Sequence, residues 1–415
     1  MSCIPINDFS LITLCDATKA GKLYSIVPDS GAGDFDVARA STATYLGADG
    51  LIKTAANNEP RIEFNEDGTY KGLLVEPAAT NLLLRSEEFD DAYWDKTQCT
   101  VSADVADFVD GNQVADLIEG TGSFPRIVRV ENASFLNENT NYTLSVFAKP
   151  NTASKIRLRV VNRAGVACSV DFDLANGGVF AEDNAVGGAI FLPKFGYYRC
   201  FMNFNSGVGS SNIDIRPVFG SGALGAGALG DGTSVYAGGA QLEESPVATS
   251  YIPTVASTVT RAADVISRTA TSALIGQTEG TIYAEVNYRQ ISPHSGRQVF
   301  EIGTDTNNTI FCGISAVNNN LMQFAIVNNS NSVVISTTPN TGILKIGLRY
   351  TTSNLSVFIN GIKIDEITNT VGIPTMSTLL LGRRINSTRS FNDHIKAFAL
   401  LPTALTEQQA IQLTS

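Results

Sequence analysis

Leu344-Lys345-Ile346-Gly347-Leu348-Arg349-Tyr350 alternates apolar with polar or small residues. After the polar turn Thr351 to Asn354, Leu355, Val357 and Ile359 continue the same period of two, the pattern of half-buried strands. The run stops at Asn360-Gly361, a pair that accepts the positive φ of a type I′ turn, so Ile362 to Ile364 reads as the returning strand of a hairpin. Working outward, Leu379 to Leu381 and Ile395 to Leu401 read as further strands, separated by Gly382-Arg383-Arg384. Thr406 with Gln409 makes a capping box for a terminal helix of about two turns. This stretch therefore predicts successive antiparallel strands that close a β-sandwich and end in one short helix.

The rest of the chain agrees with an all-β class. Of 415 residues 43% are hydrophobic, enough for more than one core, while only 17% are charged and 36 are glycine. That balance favours short strands and tight turns over helices. The net charge of -11 argues against a nucleic-acid partner, which needs clustered Lys and Arg. No apolar run is long enough for membrane insertion, and Met1 to Ala20 lacks the basic and apolar regions of an export signal. Cys3, Cys15, Cys99, Cys168, Cys200 and Cys312 form no CxxC pair, so free thiols are expected and neither a zinc nor a redox motif is visible.

Residues 1–85 have short apolar stretches broken by Asp29 to Asp34 and Asn57 to Pro60; they are expected to be an extended N-terminal arm lying against something else. Regular alternation begins after Arg85. Tyr142, Leu144 and Val146 face one way, as do Ile156, Leu158 and Val160, and Val166, Cys168, Val170, Phe172 and Leu174. With strands at Tyr197 to Phe204, Ile213 to Phe219 and Ser234 to Leu242, residues 86–255 predict a two-sheet jelly roll. Residues 256–270 read as a linker and 271–415 as the second antiparallel sandwich.

Two resemblances sharpen this reading. Asn360-Gly361, Leu379 to Gly382, Ile395 to Leu400 and Ala404-Leu405-Thr406-Glu407 follow one another as at the end of a laminin G or concanavalin-like lectin domain. Across residues 35–265, the chain resembles phage virion proteins, especially tail-fibre, head-fibre and decoration components. That resemblance rests on Ala38-Arg39-Ala40-Ser41-Thr42-Ala43-Thr44, Pro60-Arg61-Ile62-Glu63-Phe64, Gly72 to Ser86, Trp94, Tyr197-Tyr198-Arg199, Gly239 to Glu243, and Thr249-Ser250-Tyr251-Ile252-Pro253-Thr254, leading into Thr260 to Asp264. It implies a carbohydrate-binding-module-like jelly roll in a structural virion protein, assembled in the host cytoplasm. It also implies a homotrimer, with host-surface glycan as an additional partner; the first 85 residues, which must gain buried area from something else, are expected to attach the chain to other virion proteins. A polysaccharide-degrading tailspike enzyme and a non-phage lectin are the alternatives.

No residue stands out as catalytic, metal-binding or cofactor-binding. Gly220 to Gly225 fits GxGxxG and Gly225 to Gly230 fits it again, but a strand follows where a dinucleotide site needs a helix; a flexible loop is expected. His294 and His394 are the only histidines and accompany no GxSxG elbow. Asp171 and Asp173 share a strand face with Arg157 and Arg159 across the neighbouring strand, which predicts ion pairs over a glycosidase dyad. Glu87, Glu88, Asp90 and Asp91 read as a solvated acidic run, and Asp305-Thr306-Asn307-Asn308 as a polar turn. A sugar site requires an exposed aromatic plate beside amides or carboxylates. Trp94 is expected in the core, Tyr197 and Tyr198 point to opposite faces, and the ligand-binding residues stay unassigned.

Overall fold

The alternation from Leu344 onward places its strands in one sheet of a β-sandwich. The structure is a computed structural model that describes residues 4–19, 21–219, 230–289, 297–315, 321–385 and 389–415. Across that sheet the order is Ile362–Thr368, Asn354–Ile359, Gly342–Tyr350, Gly280–Tyr288, Asp393–Leu401, Tyr70–Val75 and Ile62–Phe64, with Leu11–Thr13 also pairing to Asp393–Leu401. The hairpin turn is as the sequence requires: Asn360 and Gly361 have φ of 49° and 77°, and Ile359 faces Ile362. The opposing sheet runs Asn331–Thr337, Met322–Asn328, Asn308–Ile314, Arg297–Asp305, Thr378–Leu381, Val265–Arg268 and Asp36–Ala38. Ile346, Leu348, Val357, Phe300, Phe324, Leu379 and Phe398 fill the space between, each such burial stabilising by about 1.5–3 kcal/mol. The helix Glu407–Leu413 carries the Thr406 and Gln409 capping box and seats Ala410 near Phe358 and Leu405.

The expected separate arm and linker are corrected here. Four segments from the first 85 residues are strands of this sandwich: Leu73 pairs with Ile395, Leu11 with Leu400, Ile62 with Leu73, and Val37 with Ile266. Residues 256–270 hold two strands; Val259–Arg261 pairs with Ala79–Asn81, and Val265–Arg268 lies between Thr378–Leu381 and Asp36–Ala38. The physical reason is burial. Leu11, Leu23, Phe35, Leu73 and Val75 are too few to close a core by themselves, and all five sit in the core of the C-terminal sandwich. The jelly roll is thus inserted in the sequence of a sandwich made from both chain ends.

The inserted unit has two six-stranded sheets. One runs Asp95–Thr97, Arg126–Glu131, Ile213–Phe219, Lys155–Val161, Ala167–Asp173 and Val179–Asp183; the other runs Cys99–Asp107, Gln113–Gly120, Ser234–Glu243, Asn141–Pro150, Tyr197–Asn205 and Val186–Leu192. Leu144, Val146, Leu158, Val160, Val170, Phe172, Cys200 and Met202 form its core. Trp94 joins them, edge-on to Phe89 at 5.3 Å, its indole N–H donating to the Arg85 carbonyl at 2.9 Å. A second apolar layer, with Leu46, Phe108, Phe147, Tyr197 and Tyr251, covers part of the outer face of the second sheet. Among the described residues no helix is long and apolar enough to cross a membrane.

Candidate functional site

Where the two sandwiches meet, charged residues from five segments are buried together. Arg39 follows the strand Asp36–Ala38, Arg61 precedes Ile62–Phe64, Glu76 follows Tyr70–Val75, Arg261 ends Val259–Arg261, and Asp264 precedes Val265–Arg268. The ends of strands from both sheets of the C-terminal sandwich, and of the two-stranded sheet that holds Arg261, thus bring these side chains to one point. Arg39 Nη1 donates to Asp264 Oδ1 at 2.9 Å, and Arg61 Nη2 donates to Asp264 Oδ2. Arg61 Nη1 reaches Glu76 Oε2 at 2.7 Å, and Arg261 Nη1 reaches the same oxygen at 2.9 Å.

The jelly roll closes this cluster through the segment after Ser234–Glu243. The Ser250 N–H donates to Glu76 Oε1 at 2.8 Å and its hydroxyl to Glu76 Oε2 at 2.7 Å. Arg39 also donates to the carbonyls of Ala56, Glu59 and Ser41. Burial pushes the Glu76 carboxyl up, but Arg261 and Arg61 outweigh it and hold it at about 2. Burial disfavours the Arg61 cation, and Asp264 and Glu76 more than restore it. Buried charges persist only when paired and hydrogen-bonded, and here both carboxylates meet guanidinium groups. The arrangement can clamp two sandwiches together.

Beside the clamp lies a cavity of about 120 Å³ whose lining includes Tyr45, Lys71, Ile190, Arg199, Arg289 and His394. It has room for a few ordered waters and is smaller than the roughly 300 Å³ at which small-molecule pockets begin. His394 bridges two carboxylates, Nδ1 to Asp393 Oδ1 at 3.0 Å and Nε2 to Glu63 Oε2 at 2.6 Å. Lys71 adds a 3.2 Å contact to Glu63, and Arg289 a 3.0 Å contact to Asp393. Burial disfavours the imidazolium, but these two acids raise His394 above its ordinary value. With both ring nitrogens engaged, His394 is the centre of an ion-pair chain joining an N-terminal strand to a C-terminal one. Arg199 donates to the Thr249 carbonyl at 2.6 Å and sits over the Phe147 ring.

The residues singled out from sequence do not converge. His294 and most of the glycine run 220–230 lie outside the described residues, as does Cys3; Cys15, Cys99, Cys168, Cys200 and Cys312 are buried free thiols. Asp171 takes a two-pronged contact from Arg157, including Nη2 to Oδ2 at 2.8 Å, whereas Asp173 accepts the Ala175 N–H at 2.9 Å and closes a turn. Glu88 and Asp91 pair with Arg85, while Glu87 accepts the Tyr251 hydroxyl at 2.9 Å. Asp305 accepts the Asn307 N–H at 2.7 Å in its turn, and no group of three metal-ligating side chains occurs among the described residues. Tyr197 is buried and Tyr198 packs on Phe191 at 4.8 Å between centroids.

In the sequence Arg39, Arg61, Glu76, Arg261 and Asp264 lie in separate motifs, and nothing local joins them. One local signal was present: Glu76 directly follows Leu73-Leu74-Val75, and a charge at the end of an apolar strand must find a partner when buried.

No family model and no curated protein matches the chain. Among solved structures, it is similar to the Ruminococcus gnavus IT-sialidase CBM40 bound to α2,3 sialyllactose, at 13% identity and a TM-score of 0.29 over 34% of this chain and 84% of that one. It is also similar to the binding domain of botulinum neurotoxin serotype C1, at 16% identity and a TM-score of 0.31 over 37% of this chain, and to that of serotype D/C VPI 5993, at 15% and 0.30. The chain spans 40% of the length of each of these two neurotoxin structures.

Proposed function

We propose that this chain is a non-enzymatic structural component of a phage virion, displayed as a head or tail fibre, spike or decoration protein, whose jelly roll contacts host-surface glycans. One observation carries the reading. The separate motifs that resemble phage virion proteins supply Arg39, Arg61, Glu76, Ser250, Arg261 and Asp264, and these six form a single buried clamp. A buried ionic clamp holds two modules in one relative orientation, where the common alternative is a mobile interdomain contact. Rigidity of that kind suits an appendage that must project from a particle. Attachment to other virion proteins and trimerisation belong to the same reading, the latter through the resemblance.

Mass spectrometry of purified phage particles, followed by electron cryomicroscopy, tests it. The expected result is stoichiometric presence of the chain and paired-sandwich density on the particle surface. Absence from purified particles overturns the structural reading, and release of reducing ends from host capsule by the purified chain overturns the non-enzymatic one.

A further inference from the structure

In a chain whose net charge is -11, cations outnumber acids where the two sandwiches meet. Arg39, Arg61 and Arg261 share Glu76 and Asp264. Lys71, Arg289 and His394 share Glu63 and Asp393. Arg199 lines the cavity of about 120 Å³ together with Glu76, Glu63 and His394, and it forms no ion pair among the described residues. Two further acids are close, Glu66 in the same lining and the buried Glu243. With both of them counted and His394 protonated, the interface still carries one positive charge in excess.

The excess is placed by Arg199. This residue lies on Tyr197–Asn205, opposite Phe147 and Ile190. Cys200 and Met202 of the same strand face the jelly-roll core, so alternation turns Arg199 outward, to the cavity. Both its hydrogen bonds end on neutral oxygens: Nη1 donates to the Thr249 carbonyl at 2.6 Å and Nη2 to the Ser145 hydroxyl at 3.3 Å. Its Nε is shut off from water without an acceptor. Glu243 supports the cation from beyond ion-pair distance, but that carboxylate already accepts from Gln241 and Thr249, and burial pushes it up. Burial also disfavours the Arg199 cation, and a guanidinium cannot shed its proton in a protein. A cation so placed calls for a counterion.

We propose that the cavity between the two sandwiches binds a small oxyanion of carboxylate or sulfate size, with Arg199 as its counter-cation. A guanidinium has five N–H donors; with one hydrogen bond made from each Nη, a second N–H on each is left for the anion. Paired N–H donors from one guanidinium match two oxygens of an oxyanion. Water occupies about 30 Å³ per molecule, so the cavity holds an ion of a few heavy atoms, while a drug-sized ligand needs roughly 300 Å³ or more. Lys71, Arg289 and His394 keep the rest of the lining positive enough to offset Glu63 and Glu66. The site does not depend on the virion reading.

Titration calorimetry of the full chain with acetate, sulfate and chloride, in a zwitterionic buffer at pH of about 6, below the ordinary histidine value, tests this. At least one oxyanion should bind saturably, one per chain. Arg199→Gln should weaken that binding at least tenfold, while Lys363→Gln, which breaks an exposed pair with Glu407 outside the cavity, should leave it unchanged. Unaltered Trp94 fluorescence shows that the jelly roll of each variant is folded. If Arg199→Gln does not fold, crystals of the unaltered chain soaked in selenate decide: an anomalous peak beside the Arg199 Nη atoms supports the site, and peaks only elsewhere overturn it. No saturable oxyanion binding, or binding that Arg199→Gln leaves intact, overturns the site as well. Chloride bound as tightly as either oxyanion overturns the ligand class.

Discussion

The Arg39 guanidinium and the Asp264 carboxylate, 225 residues apart in the chain, meet at 2.9 Å with both side chains withdrawn from water. The same carboxylate takes Arg61 on its other oxygen, and the Glu76 N–H donates to it at 2.9 Å. Asp264 is therefore the residue on which the clamp converges, and its loss would leave the buried Arg39 without a carboxylate and Arg61 with Glu76 alone.

Asp264→Asn tests that directly. Breaking a buried pair from one side costs about 3–5 kcal/mol, because the remaining charge stays buried without a counterion. Denaturant unfolding should show a loss of that size, whereas Glu88→Gln, which breaks an exposed pair with Arg85, should scarcely move the midpoint. Equal effects from the two variants would remove the clamp from the stability argument.

Truncation separates the two sandwiches. Deleting residues 1–85 removes the strand Tyr70–Val75, which pairs with Asp393–Leu401, and the strand Asp36–Ala38 beside Ile266, exposing backbone edges and emptying part of the C-terminal core. The expected product has a disordered C-terminal sandwich and loses its slow amide exchange there. Trp94, the only tryptophan, lies in the jelly-roll core, so its fluorescence reports whether that unit still folds. A truncated chain whose C-terminal strands keep native exchange protection would contradict the woven topology.

The His394 chain sets a pH dependence at both ends. Its folded pKa is raised above the ordinary 6.5 by Asp393 and Glu63 against the opposing effect of burial. Its stabilisation is fully present below 6.5 and lost as pH rises through the raised value. Glu63 and Asp393 are depressed despite burial, through His394 and Lys71 for the first and Arg289 and His394 for the second. Their contribution is present above the ordinary carboxylate range and lost as pH falls through their lowered values. His394→Gln should flatten the alkaline limb of the stability curve measured by thermal unfolding; an unchanged limb would assign it elsewhere.

Asp116 works in the opposite sense from Glu63, Glu76 and Asp393. Burial, outweighing hydrogen bonds from the Asp104 and Phe89 N–H groups, pushes its carboxyl up to about 7. Stability it contributes in the protonated form is present below its ordinary 3.8 and lost as pH rises to about 7. Asp116→Asn, neutral throughout, should remove that decline between pH of about 4 and 7. A decline that persists in the variant would locate the titrating group elsewhere.

The local features were legible in the chain. Alternation at Leu344 to Tyr350, the Asn360-Gly361 turn and the Thr406 cap depend on neighbours within a few residues, so they can be read along the sequence. The buried Arg157 and Asp171 pair was legible for a similar reason, because adjacent strands joined by a short turn have a readable register. The pairing of Asn203 with Thr143 was not legible, since Asn141–Pro150 and Tyr197–Asn205 are far apart in the chain.

By itself, the sequence determined an all-β chain with two sandwiches, because strand periodicity, turn residues and low charge are local properties. Only the tertiary structure decided that residues 1–85 complete the C-terminal sandwich, and that Arg39, Arg61, Glu76, Arg261 and Asp264 share one buried site. Short apolar strands carry no address for their partner. The partner is chosen by which edge leaves a core unfilled and which buried charge lacks a counterion, and both are properties of the folded whole.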